Sequence, residues 1–158
     1  MAGKLKSFAA PLEPPDSHYL SAAEGWLMLG NRQEALRDLW HVRKDLRGRQ
    51  CVLEVRWRIM AAAGKWKACL KLARYLVHAS PENPFGWIHQ SYALHELKRT
   101  KEAWDCLLPA ITRFPKDYII AYNLACYACQ MGLLDVCRKW LDRAKKMVNA
   151  ETIRRMAL

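Results

Sequence analysis

The sequence predicts an all-α solenoid of four helix-turn-helix repeats closed by a short C-terminal capping helix. Three observations predict it. The chain repeats every 34 residues, apolar side chains recur at steps of three and four, and Gly and Pro stand where helices must stop. Gly30, Gly64, Lys98 and Gly132 share one column, and the small residues Ala35, Cys69, Ala103 and Cys137 follow five positions later. Leu39, Ala73, Leu107 and Leu141 form a third column, and Val42, Leu76, Ala110 and Ala144 a fourth. The frame divides the chain into an N-terminal arm at 1–15, units at 16–49, 50–83, 84–117 and 118–151, and a cap at 152–158.

In the arm, Leu5, Phe8 and Leu12 are spaced by three and four before Glu13-Pro14-Pro15. It is expected either to fray, as most termini do, or to fold back into the groove of its own or a neighbouring molecule, which would make a homo-oligomer. In the first unit the turn falls at Gly30-Asn31, and in the second at Gly64-Lys65, where Gly accepts the left-handed backbone that ends a helix. Ser80-Pro81-Glu82-Asn83-Pro84 then prevents helix continuation. The third unit places Trp87, Ser91, Leu94 and Leu97 on one helical stripe and Trp104, Leu107, Leu108 and Ile111 on another. Pro109 lies within that second stripe and lacks a backbone donor, which predicts a kink or a break. Phe114-Pro115-Lys116-Asp117 ends the unit, and Gly132-Leu133 marks the turn of the fourth. At the end, Ile153, Met156 and Leu158 alternate with Arg154 and Arg155 in an amphipathic capping pattern.

These residues resemble the tetratricopeptide repeat. The resemblance is best in the third unit, through Trp87, Ala103, Leu107, Ala110 and Pro115, and in the fourth, whose Ala121-Tyr122-Asn123-Leu124-Ala125 opening is similar to many such repeats. It covers the whole four-unit frame. The pattern is specific for fold but not for function, and it implies a right-handed superhelix with the first helices lining a concave groove and the second helices forming the convex back. The second unit departs most, with Arg56 where an apolar residue is usual and Trp57 where a small one is, so its helix crossing is expected to differ. Arg47 and Asn149 occupy the linker-proline column in the end units, where repeats are atypical.

Composition narrows the class of function. The chain has 158 residues, a net charge of +11, 52% apolar and 10% aromatic residues, and 7 Trp, which describes one compact basic domain and excludes general disorder. No apolar run approaches the roughly 20 residues of a membrane span, and Met1 to Pro15 does not have the apolar stretch of a secretory leader. Six Cys in a Trp-rich chain of this size read as reduced thiols, so a cytoplasmic location is expected. The first helices hold two basic residues (Arg56, Arg58) against four acidic ones (Asp16, Glu24, Glu54, Glu96). The second helices with their flanking turns hold 20 basic against 8 acidic. The resemblance therefore implies a near-neutral groove and a strongly basic back.

The groove-facing columns hold Leu20, Glu24 and Leu27 in the first unit, Glu54 and Arg58 in the second, Phe85, Ile88, Tyr92 and His95 in the third, and Ile119, Tyr122, Cys126 and Cys129 in the fourth. Toward the C-terminus this surface is apolar and aromatic, which suits an amphipathic helix or extended apolar peptide of another protein. The bland alternative is that most of the stripe packs between repeats. Some family members clamp a peptide carboxylate with Lys, Arg and Asn, but Leu20, Glu24, Phe85 and Gln90 stand at the matching positions, so that role is not expected here. Cys126-Tyr127-Ala128-Cys129 has the gap of metal and redox pairs but lies mid-helix without a second pair, so a packing role is expected and no metal or cofactor. His18, His41, His78, His89 and His95 show no repeated spacing, and no nucleophile with an adjacent base occurs as a motif, so the chain is not expected to be an enzyme. The reading is a protein-binding adaptor or scaffold. The alternative is a helical-repeat nucleic-acid binder using Arg37, Lys71, Arg74, Lys139, Arg143 and Lys146 of the basic back.

Overall fold

The 34-residue period is written first in the backbone. In the computed structural model, which describes residues 8–148 and 150–157, Gly30, Gly64 and Gly132 have φ of 73°, 66° and 76°. Lys98, the one residue of that column with a side chain, is forced to φ 63°. Each of these residues closes the same C-cap. The following amide donates to the carbonyl five residues back, Asn31 to Trp26 at 2.8 Å, Lys65 to Met60 at 3.0 Å, Arg99 to Leu94 at 2.9 Å and Leu133 to Ala128 at 2.9 Å.

Helices α1 (Asp16–Met28), α2 (Arg32–His41), α3 (Gln50–Ala62) and α4 (Trp66–Ala79) make a first compact unit, residues 1–80. A second unit, residues 81–158, contains α5 (Pro84–Glu96), α6 (Thr100–Leu107), α7 (Ala110–Arg113), α8 (Tyr118–Gln130), α9 (Leu134–Met147) and α10 (Ala150–Ala157). No strand occurs among the described residues, and none of their helices is long and apolar enough to cross a membrane. Helix starts follow local chemistry. Asn31, Asn83 and Asp117 each accept from a first-turn amide through the side chain, and Pro84 opens α5 where its missing donor costs nothing. Pro109 breaks the third second helix, so α6 stops at Leu107 and α7 resumes at Ala110.

In the first unit the core gathers Ala23, Ala35, Leu39, Val42, Val52, Val55 and Ile59. Asp16 is buried at its edge, accepting from the Arg43 main-chain N–H at 2.7 Å and from Arg43 Nε at 2.9 Å, which ties the start of α1 to the end of α2. Trp57 is accommodated by burial, with its indole N–H donating to the Cys69 carbonyl at 3.0 Å. The arm, as far as it is described, lies on this unit. Phe8 meets Tyr75 edge-on at 6.3 Å, Leu12 packs against the core and Arg49 donates to the Ala10 carbonyl at 3.4 Å. Leu5 lies outside the described residues, as do Asn149 and Leu158. In the second unit Ala125, Ala128 and Cys137 are enclosed by Trp104, Val136, Trp140 and Leu141, with the two indoles edge to face at 6.2 Å. Helix α10 begins at Ala150, inside the 118–151 frame, and sets Ile153 into the interior.

Candidate functional site

The second unit brings together the aromatic residues of two first helices, α5 and α8, which lie against one another. Beneath them the buried Tyr127 hydroxyl is 3.1 Å from Ser91 Oγ. Since Ser91 donates its own proton to the Ile88 carbonyl at 2.8 Å, Tyr127 is the donor of the pair. Burial raises the Tyr127 phenol above its ordinary range. This bond fixes the register of α5 on α8 and so places the side chains above it.

On the outer side, Tyr92 is 39% exposed, and its phenol is raised first by burial and then by Glu96, to which it is hydrogen-bonded. Tyr122 and Ile119 on α8 are half-buried, and burial pushes the Tyr122 phenol up to about 12. Tyr122 also hydrogen-bonds Cys126, whose thiol is raised by burial. Phe85 is half-buried and stacked on His89 at 3.6 Å, with His89 Nδ1 donating to the Phe85 carbonyl at 2.8 Å. His95 is held 3.0 Å from Thr100 Oγ1 and 5.1 Å from the Tyr127 ring.

Several groove residues read from the columns sit elsewhere. Ile88 is only 9% exposed and belongs to the helix-pair interior, a correction to its place on the binding face, because a small rotation of α5 decides between neighbour and solvent. In the first unit Leu20 and Leu27 pack against the core. Glu24 pairs with Arg58 at 3.0 Å, and Glu54 accepts from Gln50 at 2.8 Å. That side is thus self-complementary in charge, whereas the α5–α8 face is aromatic. Of the basic residues, Arg37, Lys71, Arg74, Lys139 and Lys146 are exposed, while Arg143 lies over Trp140 at 5.3 Å.

Sequence reasoning missed a cleft of about 540 Å³ in the second unit, where Tyr122, Cys126 and Cys129 of α8 face α9 and α10. It has walls from three helices, so no single periodic stripe reveals it. Among the described residues no group of three His, Cys, Asp or Glu side chains is placed to hold a metal ion.

This architecture defines the tetratricopeptide-repeat fold. The structure is similar to the thermophilic TPR protein TTC0263 of Thermus thermophilus, with a TM-score of 0.80 and 18% identity over 88% of this chain and 77% of that one. It is also similar to MamA from Desulfovibrio magneticus RS-1, with a TM-score of 0.68 and 17% identity over 87% and 77% of the two chains. A third similar structure is MamA of strain MSR-1, at 0.65 and 19% over 84% and 76%. No family model and no curated protein matches the sequence.

Proposed function

We propose that the chain is a non-enzymatic, cytoplasmic protein-interaction module that holds an apolar peptide or amphipathic helix of a partner on the α5–α8 face. The observation that carries this reading is Tyr92, a large aromatic side chain left 39% exposed on the first helix that also carries Phe85 and that packs against the helix of Tyr122. Tyrosines of this kind contribute large rigid contact area while offering a hydroxyl to the partner, and they dominate binding energy at protein interfaces. His95, Ile119 and Cys126 complete the face. The tetratricopeptide-repeat fold supports the reading by presenting first helices side by side.

The test is capture from lysate by the full chain, with and without nuclease and at low and high salt, compared with the Tyr92→Ala/Tyr122→Ala variant. Proteins retained after nuclease and high salt should be lost from the variant while its circular dichroism stays helical, since truncating a central tyrosine costs about 2 kcal/mol of binding. Undiminished capture by the variant would refute the assignment of this face.

A further inference from the structure

The cleft between α8, α9 and α10 has the makings of a small-molecule site distinct in chemistry from the peptide face. Its volume of about 540 Å³ falls within the range of ligand pockets. Cys126, Cys137, Leu141 and Ile153 give it an apolar wall, and Lys145 and Arg154 stand on its lining from α9 and α10. None of its described lining residues is acidic. Lys145 pairs with Asp142 at 3.5 Å, and Glu151 stands one turn before Arg154 on α10; both carboxylates are exposed, where such contacts are too weak and solvated to neutralise the site. The polar groups of the wall are already committed, since Tyr122 bonds Cys126 and Cys137 bonds Cys129. A peptide backbone would bring amides that this wall leaves without partners, whereas an alkyl chain brings none.

We infer that the cleft binds an aliphatic carboxylate, with the alkyl chain against the thiol-rich wall and the carboxylate facing Lys145 and Arg154. The cations exclude a positively charged amphiphile of the same length, and a neutral one gains only the apolar contact. The ligand also covers the thiols, so occupancy is readable as protection from alkylation. The cleft shares Tyr122 and Cys126 with the peptide face, but neither Tyr92 nor Phe85 lines it, and its two cations lie on α9 and α10, so loss of peptide capture and loss of carboxylate binding are separable outcomes.

The experiment titrates the full chain with decanoate, and in parallel with decylammonium, below the concentrations at which either forms micelles, using calorimetry. Maleimide labelling followed by mass spectrometry reports each cysteine. Saturable one-to-one binding of decanoate is expected, weakened at least about tenfold in the Lys145→Glu/Arg154→Glu variant, since both charges are exposed and their reversal spares the fold. Decanoate should slow alkylation of Cys126 and leave Cys51, in the other unit, unchanged. If decylammonium binds the unaltered chain as tightly as decanoate, or if decanoate neither saturates nor protects Cys126, the inference is overturned. The comparison of the two amphiphiles needs no variant.

Discussion

At the scale of single residues, two positions carry backbone and charge costs that can be measured. Lys98 occupies the left-handed C-cap that Gly30, Gly64 and Gly132 fill in the other repeats. A side chain there costs roughly 1–2 kcal/mol relative to a relaxed backbone, part of which is returned because glycine is freer in the unfolded chain. Lys98→Gly should therefore stabilise the protein by about 0.5–1 kcal/mol, seen as a higher urea midpoint at unchanged slope. A lower midpoint would mean that the Lys98 side chain contributes something its exposure does not show. Asp16 is the converse case, a buried carboxylate kept ionised. The Arg43 main-chain N–H beside it, followed by the Arg43 guanidinium, holds its carboxyl below the ordinary value of 3.8, against the opposing effect of burial. A depressed carboxyl contributes stability that is fully present above its unfolded value and is lost as pH falls through its folded value. Asp16→Asn should thus be less stable than the unaltered chain at neutral pH, with the gap closing only below pH 3.8. Thermal unfolding of both proteins across the acid range checks this, and a gap independent of pH would remove the charge from the explanation.

At the scale of elements, what the sequence could reveal depended on whether the cause was local. The break at Pro109 was legible because a missing N–H is a covalent property of one residue, and α6 does end two residues before it. The column of Ala35, Cys69 and Ala103 read as a place of close approach, and all three are fully buried. Trp57 was legible as an anomaly but not as a solution, because the carbonyl it reaches belongs to Cys69 on the next helix. The same limit explains Ile88. Its column marks the correct helix, yet whether a side chain at that column meets solvent or a neighbouring helix depends on crossing geometry fixed by Ser91 and Tyr127. The arm followed this pattern too. Its apolar spacing left fraying and folding back both open, because its actual contacts, Tyr75 and Arg49, are far along the chain.

At the scale of the whole molecule, the net charge of +11 poses a question that the distribution of acids sharpens. On the second helices many basic residues are already paired within a turn, Arg37 with Glu34 at 2.9 Å, Arg99 with Glu102 at 2.6 Å and Arg138 with Asp135 at 3.3 Å. Helix α4 is different, for it carries Lys67, Lys71 and Arg74 and no acidic residue at all. Polyanion binding driven by such a surface releases counterions and falls steeply with salt, whereas an aromatic contact hardly responds. The two readings should therefore separate by mutation. Lys71→Glu/Arg74→Glu should abolish low-salt binding to a random-sequence RNA while leaving protein capture intact, and Tyr92→Ala/Tyr122→Ala should do the reverse. Fluorescence anisotropy with labelled RNA from about 50 to 200 mM salt provides the readout, and the unaltered chain should lose at least about tenfold in affinity across it. Should RNA binding instead persist through that range and depend on Tyr92 and Tyr122, the aromatic face would be a base-stacking platform and the protein-binding assignment would give way to it.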